Sequence, residues 1–195
     1  MKKTILTSFI AIISLAAFSQ NEHANHNINA ETKQDSTTPK KVLSPHTSAM
    51  AMVGDAHVHI DYSSPSVRNR MVFGGLVGYN TVWQAGAHKA TWIETNKNLK
   101  IGGKTLPAGK YGFFLVPGKK EWKVMFNSKW DQHGKDEYSE AEDVLVTSVV
   151  VKTLDITQEV LTYKVNDNKN NKGVISLAWE NSKIEIPFEV LVSKK

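Results

Sequence analysis

The stretch KYGFFLVPGKKEWKVMFN, residues 110–127, decides the fold of this chain. Two short runs of aromatic and aliphatic residues flank Pro117 and Gly118, which are residue types that favour turns. Pro107 and Gly109 mark another turn just before the first run. Short apolar runs bounded by turn residues are typical of strands, whereas buried helices run longer. The stretch therefore predicts a β-hairpin whose two strands both contribute to a core.

Alternating or β-branched runs recur on both sides of this hairpin. They lie at residues 56–62, 90–95, 99–101, 144–152, 160–165, 174–180 and 183–192. Gly102 with Gly103, and Asn181 with Ser182, each separate two such runs and predict hairpin turns. Helical character is limited to single turns at most, at residues 79–83 and 139–143. Short, closely spaced strands predict an all-β fold, a single antiparallel β-sandwich or flattened barrel.

The same alternation predicts the core, because successive residues of a strand point to opposite faces of the sheet. The side chains expected to be buried are Val58, Ile60, Phe114, Val124, Phe126, Leu177, Trp179 and Ile186. Tyr62 continues the face of Ile60 and is assigned to the core as well.

The beginning of the chain predicts export. Lys2 and Lys3 precede an apolar run at residues 5–18, and Ala17 and Ser19 are small residues of the kind found at signal-peptide cleavage sites. We therefore predict a signal peptide at residues 1–19 and a mature chain in the periplasm or outside the cell. The apolar run is short for a transmembrane helix. No stable membrane insertion is expected after the signal is removed.

The remaining chain divides into a linker and one domain. Residues 20–44 are rich in Asn, Thr, Lys, Glu and Ser, which predicts a disordered linker. Residues 45–193 have the length of a single domain. The chain has no cysteine, so its stability has to come from a packed core and not from disulfides. The formal net charge of +5 is concentrated near the chain ends, which together with export argues against nucleic acid as a partner.

The sharpest chemical feature is a pair of histidines, His57 and His59, on the first predicted strand. Their spacing places both imidazoles on one face, where they can bind a single metal ion. We predict that His88 joins them, with His133 or His46 as a fourth ligand. Imidazole nitrogen suits copper or zinc. The alternative is that the pair forms the solvent-exposed face of an edge strand.

Neighbouring residues bear on the same hypothesis. Asp61 lies on the face of His57 and His59 and is a candidate hydrogen-bond acceptor for an imidazole N–H. Met50 and Met52 favour copper if they lie near the histidines, because thioether sulfur is a soft ligand. Such a site should lose metal in acid, where imidazoles take up protons.

A long connection follows the first strand, at residues 63–87, and is rich in Gly, Pro and Arg. Long ordered loops often carry function. Arg68 and Arg70 have the planar donors that bind a carboxylate or phosphate, although the same donors can hold the loop through its carbonyl oxygens. Trp83 and Glu94 complete a candidate ligand-binding loop. The alternative for Trp83 is a place in the core.

The run YSSPSVRNRMVFGGLVGYNTVWQAGAHKAT, residues 62–91, resembles the signature of domain-of-unknown-function family 2911. Shorter matches lie at residues 44–46, 101–103, 106–111, 122–127 and 177–180. The resemblance implies an exported bacterial protein whose activity is not established. Gly78, Gln84 and His88 depart from the pattern, which more often has proline, arginine, and asparagine or aspartate there.

Three functions remain open. The first is a non-catalytic binding or structural module for a small ligand, which we favour. The second is a periplasmic metal-binding protein, and the third is a metal-assisted hydrolase in which the ion activates water. The sequence contains no P-loop, no G-x-S-x-G and no H-E-x-x-H motif, and this argues against several common enzyme classes.

Overall fold

The computed structural model describes residues 42–192. The predicted signal peptide at residues 1–19 lies outside this range, as do residues 20–41 of the predicted linker. The described strands are β1 (His46–Val53), β2 (Ala56–Ser63), β3 (Trp92–Thr95), β4 (Leu99–Ile101), β5 (Lys104–Leu106), β6 (Gly109–Val116), β7 (Glu121–Asn127), β8 (Asp143–Val150), β9 (Lys152–Asp167) and β10 (Lys172–Val190). Over the same range, no helix is both long enough and apolar enough to cross a membrane.

The strands form two antiparallel sheets. One has six strands in the order β1-β2-β3-β6-β7-β8, and the other has four in the order β5-β4-β10-β9. The predicted hairpin at residues 110–127 is formed by β6 and β7, with Phe113 opposite Phe126. The two sheets enclose one core and do not close into a barrel. The all-β prediction is confirmed, and the fold is a sandwich.

The predicted core side chains are all buried: Tyr62 is 6% exposed and each of the others is at most 1% exposed. Phe114 differs from the others because it lies outside the main core, in a second cluster with Met125 and Ala90. Tyr138 covers this cluster, and its ring centroid is 4.9 Å from that of Phe114. Phe113, the preceding residue of β6, belongs to the main core. Strand β6 is therefore buried on both faces, which explains its uninterrupted apolar sequence.

The predicted hairpin turn at Asn181 and Ser182 is wrong. Both residues lie inside β10, which pairs with β9 along most of its length and with β4 near its end. The register with β9 shifts on either side of Glu180, whose φ is +54°. Such an irregularity bends a strand without ending it. Pairing on both sides overrides the local preference of an Asn-Ser pair for a turn.

Strand β1 was not predicted from the sequence. It pairs with β2 through the tight turn at Gly54 and Asp55, and Val53 lies opposite Ala56. Gly54 has φ +57°, a conformation that favours glycine. The predicted helical turn at residues 139–143 is present as a 3-10 turn at Glu140–Glu142, whereas residues 79–83 form none.

Candidate functional site

Residues 64–91, here called the signature loop, connect β2 to β3 and contain most of the family-like run. Several of the loop's apolar side chains are buried in the main core, namely Val67, Val72, Phe73, Val77, Trp83 and Ala85. The loop also extends the hydrogen bonding of β6, because the backbone groups of Trp83 and Leu115 bond each other at 2.8 and 2.9 Å. The signature loop is therefore a part of the packed domain.

Two charged side chains hold the signature loop in place. Glu180, at the bend of β10, accepts hydrogen bonds from the backbone N–H groups of Val72 at 2.9 Å and Phe73 at 3.4 Å. The guanidinium of Arg70 donates to two carbonyl oxygens of the loop, at 2.8 and 3.0 Å. Arg70 thus makes contacts that stabilise the loop, and its predicted part in binding a ligand stays a prediction.

A buried tyrosine adds a third anchor. The hydroxyl of Tyr163 donates to the carbonyl oxygen of Ala85 at 2.7 Å. Burial raises the pKa of Tyr163 well above its usual range, and the neighbouring Tyr62 raises it further. The hydroxyl therefore stays protonated and keeps its role as a donor.

The signature loop also contributes to an aromatic cluster in the core. Phe73 and Trp83 come from the loop, Trp122 from β7 and Trp179 from β10. The ring of Trp83 stacks on that of Trp179, with centroids 5.8 Å apart and 23° between planes. Phe73 packs against Trp122 with centroids 4.7 Å apart. The tryptophans of the family-like motifs thus meet in one place, although they lie far apart in the sequence.

A cavity of about 320 Å³ lies beside this cluster and is lined mainly by the signature loop. Trp83 and Trp179 form part of its wall, and Gln84, His88 and Lys135 are its longer polar side chains. Trp83 lines this cavity, whereas Arg68, Arg70 and Glu94, the other residues of the predicted ligand-binding loop, do not. Lys135 was not predicted, because it follows β7 and only the fold brings it to the signature loop.

The two stacked tryptophans differ in their hydrogen bonding. The Trp83 indole Nε1 donates to the carbonyl oxygen of Gly86 at 3.0 Å. The Trp179 indole Nε1 is buried and has no hydrogen-bond partner among the described residues. Buried polar groups in folded proteins are almost always paired with protein, water or ligand. An unpaired donor on a residue that lines the cavity therefore requires an explanation.

Arg68 and Glu94 lie away from this cavity. Arg68 is exposed, with φ +51°, and its backbone N–H donates to the carboxylate of Glu159 at 3.0 Å. Glu94 is exposed on β3, on the outer face of the six-stranded sheet. Neither side chain is brought to Trp83 by the fold.

The histidines are distributed over the domain. His46 forms a hydrogen bond with Asp61, 2.8 Å from Nε2 to the carboxylate oxygen, and His133 lies on the surface 3.4 Å from Asp136. His88 is exposed with φ +63°, a backbone conformation that His, Asn and Asp adopt more often than most residues. A second cavity, of about 250 Å³, is lined by His46, Asp61 and His88 together with Trp92 and Asp131.

His57 and His59 are half-buried on the outer face of β2, with ring centroids 6.0 Å apart. Neither lines the second cavity with His46 and His88. Over residues 42–192, no group of three or more His, Asp or Glu side chains is arranged to hold a metal ion. The predicted site of His57, His59 and His88 thus remains a prediction.

The outer face of the six-stranded sheet carries an arrangement that the sequence analysis missed. The ammonium of Lys110 lies 3.5 Å from the ring centroid of Trp92 and 3.8 Å from that of Trp130. Glu94 is opposite Lys110 on the neighbouring strand, and His59 packs edge-on against Trp92 at 5.0 Å. The alternating sequences of β2 and β3 could have predicted that His59 and Glu94 lie on outer faces. Nothing in the sequence predicted that Trp130, in the loop after β7, would join them.

These features define the class of protein: an antiparallel β-sandwich domain whose long signature loop packs into the core and borders a cavity. Residues 44–188 match the family described as "Protein of unknown function (DUF2911)", and the chain belongs to this family. The resemblance inferred from residues 62–91 is thereby confirmed. Comparison with curated proteins and with solved structures gave no significant match.

Proposed function

We propose that this protein is an exported, non-catalytic binding module whose ligand has a small planar apolar body and an anionic or hydrogen-bond-accepting group. The observation that carries the proposal is the unpaired, buried Nε1 of Trp179 on a residue lining the 320 Å³ cavity. The atom is covered by the surrounding side chains, so a ligand acceptor would satisfy the donor once the cavity wall shifts to uncover it. Export is proposed from residues 1–19, which lie outside the described part of the chain.

The composition of the cavity supports this ligand class. Stacked Trp83 and Trp179 form an aromatic wall of defined geometry that is almost fully covered, at 6% and 1% exposure, and Leu76 adds exposed aliphatic surface. Lys135 adds a cation at the rim. Ligand pockets typically combine an apolar lining with a few polar groups and have volumes of roughly 300–1,000 Å³. A volume of about 320 Å³ suits a compound of one or two fused rings.

The cavity is also held in a defined shape. Hydrogen bonds between the loop backbone and the side chains of Glu180 and Arg70 anchor the signature loop, and the backbone of Trp83 bonds that of β6. Binding a ligand therefore requires little ordering of the loop, which reduces the entropic cost of association. This supports recognition by a site whose loop is preformed and whose wall needs only a local shift to uncover the Trp179 Nε1.

The test uses 1-naphthoate and its uncharged analogue 1-naphthamide as probes, added to the full chain labelled with ¹⁵N. Each tryptophan indole N–H gives its own signal, so binding beside Trp179 is read directly. We expect naphthoate to shift the Trp179 and Trp83 indole signals more than those of Trp92 and Trp130. Lys135→Glu should weaken naphthoate binding by about tenfold, because it replaces attraction with repulsion, and should change naphthamide binding little.

The matched control is Lys119→Glu, which makes the same charge change at an exposed lysine of the β6–β7 turn. It should leave both probes unaffected. The proposal is wrong if neither probe shifts the Trp179 indole signal at millimolar concentration. It is also wrong if the two lysine variants weaken naphthoate binding equally, because the effect would then come from net charge alone.

A further inference from the structure

We propose that Met50, Met52, His57 and His59 form a binding site for a soft monovalent metal ion, Cu(I) or its analogue Ag(I). The site lies on the outer face of β1 and β2 and shares no residue with the cavity beside the signature loop. It is therefore independent of the proposed ligand-binding function.

The strand register brings the four side chains together. Met50 is directly opposite His59, and Met52 is directly opposite His57. Residues opposite each other in antiparallel strands share a face, with Cβ atoms about 4.5–5.5 Å apart. Residues two apart on one strand are separated by roughly 6.5–7 Å. The two sulfur and two imidazole donors therefore occupy the corners of a small rectangle on one surface.

The observed ring separation fits a shared ion. Two imidazoles bound to one ion at roughly 2.0–2.1 Å have ring centroids about 5–6 Å apart, for bond angles between tetrahedral and nearly linear. The centroids of His57 and His59 are 6.0 Å apart. The rings stand at the wide end of this range, so binding of all four donors requires the two rings to approach each other by roughly 1 Å.

Two further observations point to a missing partner at this position. The Nε2 atom of His59 is buried and has no hydrogen-bond partner within residues 42–192, and the ring packs edge-on against Trp92, so binding an ion through this atom requires the ring to turn. Met50 and Met52 are each 55% exposed, although methionine side chains usually pack in cores. A bound ion would satisfy the imidazole nitrogen and give the exposed thioethers a role.

The donor set decides which ion. The described residues offer no group of three His, Asp or Glu for a harder divalent ion, and the chain contains no cysteine thiolate. Thioether sulfur selects Cu(I) among the biological metals, and imidazole accepts it as well. Two carboxylates share this face: Glu94 is opposite His59 on β3, and Asp61, two residues along β2, is already bonded to His46 at 2.8 Å. The patch is therefore suited to a soft monovalent cation.

The experiment titrates the full chain, produced without an affinity tag, with Cu(I) supplied anaerobically as its bicinchoninate complex. The variant Met50→Leu with Met52→Leu removes the sulfur donors but preserves size, so the fold is expected to survive. We expect one Cu(I) per chain, and an affinity lowered by about tenfold or more in the double variant. Met71→Leu is the matched control, because Met71 is 69% exposed on the signature loop. The Met71→Leu variant should bind Cu(I) as tightly as the unmodified chain.

A second measurement locates the ion. With ¹³C-labelled methionine methyl groups and Ag(I) as a redox-inert probe, only the signals of Met50 and Met52 should shift strongly. The proposal is overturned if Cu(I) is not taken from bicinchoninate, or if the methionine double variant binds as tightly as the unmodified chain. Binding that disappears instead in His23→Ala with His26→Ala would overturn it as well, since those histidines lie in the predicted linker.

Discussion

Replacing Glu180 should release the signature loop, because this carboxylate is the partner of two backbone N–H groups in it. Val72 and Phe73 are the donors, and both residues are buried, at 0% and 5% exposure. In Glu180→Ala both N–H groups lose their acceptor while remaining shielded from water. The domain is expected to unfold more easily, with the opening concentrated in the loop.

The magnitude follows from the cost of an unpaired buried group, roughly 1–3 kcal/mol each. The bond from Val72 is short, at 2.9 Å, whereas that from Phe73 is long, at 3.4 Å, and belongs at the low end. Glu180→Ala should therefore lower the free energy of unfolding by about 2–4 kcal/mol. Glu180→Gln keeps one acceptor oxygen but places an amide donor near the other N–H. Its loss should be about half as large.

Urea unfolding followed by tryptophan fluorescence measures the loss, and hydrogen exchange at Val72 and Phe73 locates it. Both variants have a side chain at the same left-handed position, φ +54°, so backbone strain cancels in their comparison. A loss below about 0.5 kcal/mol in Glu180→Ala, within the range of ordinary surface substitutions, would refute the reasoning. Unchanged exchange at the two amides would do the same.

Three more outcomes are expected. Phe126→Ala should cost about 3–5 kcal/mol in urea unfolding, because the side chain is fully buried in the main core and its loss leaves a cavity; near-neutral stability would contradict the assigned strand faces. Arg70→Lys should cost about 1–2 kcal/mol, because the compact ammonium cannot reach the two carbonyl oxygens that the planar guanidinium bonds; thermal unfolding at a fixed pH measures the loss, and no change would show that the loop does not depend on these hydrogen bonds. Hydrogen bonds from Lys152 and Lys183 lower the pKa of Glu185 below its ordinary value of 4.5. The ionised Glu185 should therefore stabilise the fold near neutral pH, and this contribution should be lost as the pH falls through the lowered pKa. A stability difference between Glu185→Gln and the unmodified chain that persists below that pKa would contradict this.

The sequence determined the all-β class and much of the core, because the alternation of polar and apolar residues along a strand indicates which of its faces is buried. Val58 and Ile60 alternate with His57 and His59, and the structure buries the first pair while leaving the second half-exposed. The continuous apolar run of β6 predicted that the strand is buried, but not which side chains face the main core. Phe113 and Phe114 lie in different clusters, since loop residues such as Tyr138 cover the outer face of the strand.

Strand continuity was decided by pairing between distant segments. Asn181 and Ser182 have the local preferences of a turn, yet β10 passes through them because β9 pairs with it along this part. Glu180 takes a left-handed conformation there, and its carboxylate then reaches the signature loop. A turn preference is a property of a few residues, whereas the hydrogen bonds that override it come from a strand that only the folded chain supplies.

The candidate sites followed the same division. The chemistry of His57, His59 and Trp83 was visible in the sequence, because residue type and spacing are local. Their neighbours were not: Trp179 reaches Trp83 from β10, and Met50 lies opposite His59 only because the turn at Gly54 sets the register of β1. A cavity or a cluster of ligands forms where separate elements pack together, and packing is decided by the whole chain at once. The sequence therefore named the chemical groups, and the tertiary structure alone decided which of them meet.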